Sequence, residues 1–172
     1  NVVYFNDAGQ FYTGSVDDCN ASPQEFSCFG TGLDYVRDII VGDIDGDGDL
    51  DIILGNGSRT RNIIYLNDGE GNLPIVYDFG FGSDKIQSIY VGDIDSDKDL
   101  DIITGNSFGQ NAVYFNNAGQ FYTGSIDDCN ASPQEFSCFG TNSDQTESVY
   151  VGDIDGDDDL DIVAGNIGQN AV

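Results

Sequence analysis

"VGDIDGDGDLDII" (Val41–Ile53) places aspartates at every second position: Asp43, Asp45, Asp47, Asp49 and Asp51. Five like charges so close together repel one another strongly unless something positive is held among them. The stretch returns as "VGDIDSDKDLDII" from Val91 and as "VGDIDGDDDLDIV" from Val151. A solvated acidic loop explains one such run; three copies call for a bound partner. Counted from the first aspartate, side-chain oxygens stand at positions 1, 3, 5 and 9, and position 7 can offer a backbone carbonyl. With water filling in, that is an oxygen cage of roughly six or seven ligands, which suits a hard, flexible-geometry cation, Ca²⁺ better than Mg²⁺.

The first calcium site expected on this reading is Asp43, Asp45, Asp47 and Asp51 with the carbonyl of Asp49. The second is Asp93, Asp95, Asp97 and Asp101 with the carbonyl of Asp99. The third is Asp153, Asp155, Asp157 and Asp161 with the carbonyl of Asp159. Gly48 occupies position 6, where a tight turn is needed. Lys98 and Asp158 replace that glycine in the other copies. A non-glycine at positive φ costs about 1 kcal/mol, and Lys98 adds a positive charge, so the second site is expected to be the weakest. An EF-hand requires Glu at position 12 and flanking helices. Position 12 is Leu54, Thr104 or Ala164, and the flanks read as strands, so an EF-hand is rejected.

The motifs are spaced 50 and 60 residues apart, and each carries the same frame. Phe29-Gly30, Phe79-Gly80 and Phe139-Gly140 precede them, and Gly55-Asn56, Gly105-Asn106 and Gly165-Asn166 follow. Residues 1–31 match 111–141 with three differences: Val2 for Ala112, Asp7 for Asn117 and Val16 for Ile126. "GQNAV" at 109–113 recurs at 168–172. Periods of this size indicate solenoids, propellers or arrays.

Locally, "SIYV" and "SVYV" read as β-branched and aromatic strands. "DLDII" alternates with period two, one face apolar and one polar or chelating. "NAVYF" reads as a third strand, "NNAG" or "NDGEG" as a turn, and "QFYTGS" as a fourth strand. Four short strands per unit is the pattern of a propeller blade. The expected divisions are 1–28, third and fourth strands of a split blade; 29–78 and 79–138, two blades; and 139–172, the first strands of the split blade. Three blades are too few for a ring, so closure into a six-bladed homodimer is expected.

The pattern resembles the FG-GAP or VCBS repeats of integrin-alpha-like proteins, through "FG" at Phe29-Gly30, the D-x-D-x-D-G-x-x-D loop at Asp43–Asp51 and the apolar pair after it. The resemblance covers essentially the whole chain. It implies an all-β propeller of four-stranded antiparallel blades, with Ca²⁺ between the first two strands of each blade, in an extracellular or cell-surface setting. The family's "GAP" element is absent as such; "GN" stands in the corresponding place.

A formal net charge of -26 over 172 residues excludes nucleic acid and anionic membranes as partners. More than half of the acidic residues lie in the three motifs, which a uniformly acidified surface would not show. No run is long enough to span a bilayer as a helix. Cys19 and Cys28, like Cys129 and Cys138, lie nine apart in identical settings, "DCNASPQEFSCF". Without histidine this is poor zinc spacing, and each pair most simply forms a local disulfide, which an oxidising compartment permits. Asn20, Asn56 and Asn130 match the N-glycosylation acceptor pattern.

Catalysis is not expected. Histidine is absent, no serine sits in a "GxSxG" context, and the aspartates are claimed by metal. Asp17 and Asp18, the remaining carboxylate pair considered, are adjacent in a probable loop and diverge. The expected function is a calcium-stabilised binding or structural module for adhesion or protein interaction. A carbohydrate-binding lectin is the alternative, with rings from Tyr4, Phe5, Phe11, Tyr12, Tyr114, Phe115, Phe121 and Tyr122. A part of a secreted hydrolase is less favoured.

Overall fold

The computed structural model describes residues 1–5, 7–10, 26–30, 35–57, 61–80, 85–123, 135–141 and 144–168. Among these the secondary structure is strand throughout, joined by turns. β1 (Val2–Tyr4) pairs with β2 (Phe26–Cys28). β3 (Val36–Gly42), β4 (Asp51–Asn56), β5 (Asn62–Leu66) and β6 (Ile75–Phe79) form a four-stranded sheet in that order. β7 (Ile86–Gly92), β8 (Asp101–Asn106), β9 (Asn111–Tyr114) and β10 (Phe136–Phe139) form a second. β11 (Thr146–Gly152) and β12 (Asp161–Asn166) pair as a hairpin. Every pairing is antiparallel. Phe79 and Phe139, the phenylalanines of two "FG" pairs, are the last residues of β6 and β10.

The registers repeat. Gly42 faces Asp51, Gly92 faces Asp101 and Gly152 faces Asp161, so each aspartate loop joins the first two strands of its sheet. A bulge near the start of each first strand falls at the same place, between Val36 and Asp38, Ile86 and Ser88, and Thr146 and Ser148. The residue after the bulge is re-aimed at the next sheet. Asp38 Oδ2 accepts the Ile89 amide at 2.8 Å, and Ser88 Oγ accepts the Val149 amide at 3.2 Å.

The sheets are layered, and the apolar residues fill the spaces between layers. Ile53, Ile64 and Phe79 of the first sheet meet Ile86, Ile89 and Tyr114 of the second. On the far side of the second sheet, Ile103 and Val113 meet Val149, Val151 and Ala164. Ile52, Leu54, Ile63 and Tyr65 pack with Val3 and Phe29 of the β1–β2 segment. β4 and β8 are therefore buried along their whole length. The expectation of one apolar and one polar face in "DLDII" is corrected here: alternate residues serve two different interfaces, and both are dry.

The glycines of the first two "GN" pairs mark a close approach of layers. A Cβ on Gly55 would lie 2.6 Å from Ile86 Cγ2, and one on Gly105 would lie 2.8 Å from Thr146 Cγ2. The asparagine closes the turn into the third strand: Asn56 Nδ2 donates to the Arg61 carbonyl, and Asn106 Nδ2 to that of Gln110.

The expected fourth strand "QFYTGS" is also corrected over its described residues, 120–123. Gln120 instead bridges back to Asn117 around a turn in which Ala118 and Gly119 have φ of 51° and 80°. Tyr122 then stacks on Phe136 with ring centroids 4.5 Å apart, and its carbonyl accepts the Gly80 amide. The strand that completes the second sheet is Phe136–Phe139, from the cysteine-bearing segment.

No sheet closes into a ring among the described residues. The layers end with apolar surface uncovered. Ile39 is 48% exposed, whereas Ile89 and Val149, its counterparts in the second sheet and in the β11–β12 hairpin, are each 4% exposed.

Candidate metal centre

Each aspartate loop leaves its first strand at a glycine and re-enters the sheet at a buried or half-buried aspartate. The chain must reverse within eight residues, and it does so through two left-handed positions. These are Gly46 and Gly48 (φ 77° and 97°), Ser96 and Lys98 (62° and 85°), and Gly156 and Asp158 (83° and 74°). The sequence reading recognised the second of these positions; the first was visible as the other glycine of "DGDGD".

The folding of the loop brings three of the expected side-chain ligands together. Asp43, Asp45 and Asp51 each offer a carboxylate oxygen within 4.8 Å of the others, as do Asp93, Asp95 and Asp101, and Asp153, Asp155 and Asp161. Position 5 stands outside these triads. Oδ1 of Asp47, Asp97 and Asp157 accepts the amide of Asp49, Asp99 and Asp159 at 2.9, 2.9 and 3.0 Å. Asp43 and Asp93 also brace the turn, accepting the amides of Gly48 and Lys98 through Oδ2 at 3.0 and 3.1 Å.

The aspartate at position 9 anchors the loop to the sheet. Asp51 accepts the Ile44 amide at 2.9 Å and the Asn67 amide at 2.8 Å. Asp101 accepts the amides of Ile94 and Asn116 at 2.8 and 2.9 Å. Asp161 accepts that of Ile154 at 2.9 Å. Asn67 and Asn116 are positioning residues that the sequence reading passed over as part of a turn. Their signal was the asparagine directly after the third strand in "YLN" and "YFN". Each donates its side-chain amide back to the loop, to the Leu50 or Leu100 carbonyl, at 3.2 Å.

Burial pushes the Asp101 carboxyl up to about 6, with the Asp95 and Asp97 charges adding to it and the Asn116 and Ile94 amides opposing it. Asp51 is raised for the same first reason, against the amides of Asn67 and Ile44 and with the charges of Asp45 and Asp47. Asp95 is raised by burial and then by the Asp97 charge. Ionised carboxylates are thus gathered against a cost that a cation would remove. Asp43 Oδ1 is a buried carboxylate oxygen without a hydrogen-bond donor. A buried oxygen of that kind is costly unless something positive meets it. The donor set is entirely hard oxygen, which fits Ca²⁺. The bound ion would supply charge neutralisation, while the chain supplies the triad and the braces that hold it open.

Other expected sites fall elsewhere. Asn56 is not an available glycan acceptor: its side chain is fully buried, and its amide is committed to the Arg61 carbonyl. Asn20, Asn130, Cys19, Cys129, Asp17, Asp18, Phe11 and Tyr12 lie outside the described residues. No free thiol is present among the described residues, where Cys28 and Cys138 stand in β2 and β10. Of the expected sugar-stacking rings, Tyr114 is fully buried, Phe5, Phe115, Phe121 and Tyr122 are half-buried, and Tyr4 is exposed.

Compared with known proteins, two overlapping stretches of the chain, residues 43–104 and 93–164, match the FG-GAP-like repeat. Each match runs from one aspartate loop through the next. No curated protein matches the chain. The matched repeat is a non-catalytic structural unit, and no catalytic cluster stands among the described residues. The two matches cover more than half of the chain, which therefore belongs to the FG-GAP-like repeat family.

Proposed function

We propose that the chain is a calcium-stabilised β-propeller module of the extracellular space, used for adhesion or protein interaction. The observation that carries this reading is the threefold carboxylate triad on one loop geometry, with Asp43 Oδ1 buried and undonated in the first copy. Each loop fastens the first two strands of its sheet, so an ion held there stiffens the layer and does not enter a reaction. The reading places Asp47, Asp97 and Asp157, and the carbonyls of Asp49, Asp99 and Asp159, as further ligands. It pairs Cys19 with Cys28 and Cys129 with Cys138.

The ring is completed by a second copy. β1–β2 repeats the sequence of β9–β10 and presents Val3 and Phe29 to the first sheet. β12 pairs with β11 on one edge, and β1 pairs with β2. Setting β1 of one copy on β12 of another, in the register seen between β9 and β8, opposes Tyr4 to Ile162 and Val2 to Ala164. Two copies so joined make six blades.

The experiment is a thermal melt in millimolar Ca²⁺ and in chelator. An ion bound only by the folded chain at a hundred times its Kd adds about 2.7 kcal/mol per site. Chelation is expected to lower the Tm markedly, and Asp47→Ala to reproduce part of the loss. A melt indifferent to both sinks the reading. A cleft lined by Phe115, Asn117, Gln120, Phe121, Tyr122 and Glu135 keeps the lectin reading alive, because it sets rings beside amides and a carboxylate. A glycan array probed with Ca²⁺ and with chelator separates the two.

A further inference from the structure

Asn116 is 4% exposed and sits between two aspartate loops rather than beside one. Its amide N–H donates to Asp101 Oδ1 at 2.9 Å. Its Nδ2 donates to the Leu100 carbonyl at 3.2 Å within the second loop, and to the Ile44 carbonyl at 2.8 Å in the first. The Ile44 carbonyl belongs to the peptide plane that carries Asp45, a member of the first triad. The Ile44 amide, on the other side of the same residue, donates to Asp51 Oδ2 at 2.9 Å. One buried residue therefore connects the two sites, its backbone N–H to the position-9 carboxylate of the second and its side chain to the backbone that aims two carboxylates of the first. The turn it caps also touches the first loop: Asn116 Oδ1 accepts the Gly119 amide at 2.7 Å, and Gly119 faces Asp45 Cβ.

Asn67, the counterpart in the first sheet, donates its side-chain amide to its own loop, at Leu50. Among the described residues no asparagine reaches the Ile94 carbonyl of the second loop from the β11–β12 side. Among the described residues the connection is made between the first and second sites.

We propose that Asn116 couples the first and second cation sites, so that an ion in either raises the affinity of the other. This rests on the calcium reading above. An ion at the second site fixes Asp101, and with it Asn116 and the Ile44–Asp45 peptide. The first loop then has less conformational freedom to lose on binding. By linkage the effect is reciprocal.

The test is a calorimetric Ca²⁺ titration of the whole chain carrying Asp155→Ala to disable the third site, with and without Asp95→Ala to disable the second. Coupling at the low end of the usual range weakens the first site about fivefold when the second is disabled. In Asn116→Ala the fivefold factor vanishes, and in Asn67→Ala it persists. Asp95 is exposed, so its removal decides the coupling even if Asn116→Ala does not fold. A first-site Kd that ignores Asp95→Ala overturns the proposal, as does a factor that survives in folded Asn116→Ala. Saturable Ca²⁺ uptake with no coupling leaves the calcium reading standing. Absence of saturable uptake in every form removes both.

Discussion

Asp101 heads β8 with no surface exposed, and burial raises its carboxyl from 3.8 to about 6. A carboxyl raised on folding binds its proton more tightly in the native chain than in the unfolded one. The stability it contributes is full below the unfolded value and is lost as pH rises through the folded one. Without metal, the Tm is therefore expected to fall as pH is raised from about 4 to about 7, and Asp101→Asn should flatten that slope. Asp68 and Asp144 are lowered by their hydrogen bonds and act in the opposite sense, but Asp68 is exposed, Asp144 is only half-buried, and solvent screens both. With excess Ca²⁺ the slope should reverse, because the ion requires the ionised form. Melts across pH in chelator and in Ca²⁺ check both signs; a metal-free Tm that climbs with pH contradicts the assignment. At this scale the sequence showed the aspartates, since their alternation and recurrence are properties of the string. It did not show which of them are buried, because burial of Asp51 and Asp101 arises from the layers above and below. Lys98 takes the left-handed conformation expected from the place of Gly48, but the sequence reading did not show that Ser96 takes it too, which the closure of the loop imposes on whatever residue stands there.

At the scale of the element, β4 and β8 show why periodicity misled. Alternation distinguishes two faces but does not say that one is wet, and here Ile52 and Ile53 are buried in different interfaces. "QFYTGS" has strand composition throughout, yet the backbone of Gln120 is engaged by the bridge to Asn117 and that of Tyr122 by Gly80. Propensity was overridden by local hydrogen bonding and by the stacking of Tyr122. The first three strands of each full repeat were legible because β-branched runs there are bounded by glycine and asparagine. Gly55 offers the test at this scale. Its missing Cβ admits Ile86 and Ile89, both closely packed. Gly55→Val overpacks that seam and is expected to cost roughly 1–3 kcal/mol, read as a lower Tm in Ca²⁺. An unchanged Tm would mean that the two sheets do not approach as described.

At the scale of the whole molecule, the described sheets are layered and leave apolar residues exposed at both ends. Ile39 and Val41 are exposed on β3, where a preceding layer would cover them, and Tyr150 and Ile154 are exposed at the other end. Repetition in the sequence revealed the stack; which faces remain open depends on how β1–β2 seats on the first sheet, and no local pattern encodes that. If a second copy closes the ring, light scattering in Ca²⁺ should give about 37 kDa, twice the 18.4 kDa of one chain. Gly165 adds a sharper arm. A Cβ there meets nothing nearer than 3.7 Å, unlike those on Gly55 and Gly105. Gly165→Val should therefore leave the fold of one chain intact while obstructing the approach of the next, shifting the mass to that of the monomer. A folded wild-type monomer that is unchanged by concentration would refute closure by a second copy.

The bridge from Asn116 to Ile44 also means that the first two aspartate loops stand side by side at one end of their strands. The turns closed by Asn56 and Asn106 stand at the other end, six residues along β4 and β8. Withdrawal of cations thus loads one rim only. Repulsion pries the loops apart while the opposite rim stays clasped by Asp38 and Ser88, which accept the Ile89 and Val149 amides of the next layer, so the layers splay as a fan does about its rivet. Tension applied across that rim would be borne by the Asn116–Ile44 bridge between loops that ions hold in shape, and the stiffness of the module would follow the calcium of its surroundings.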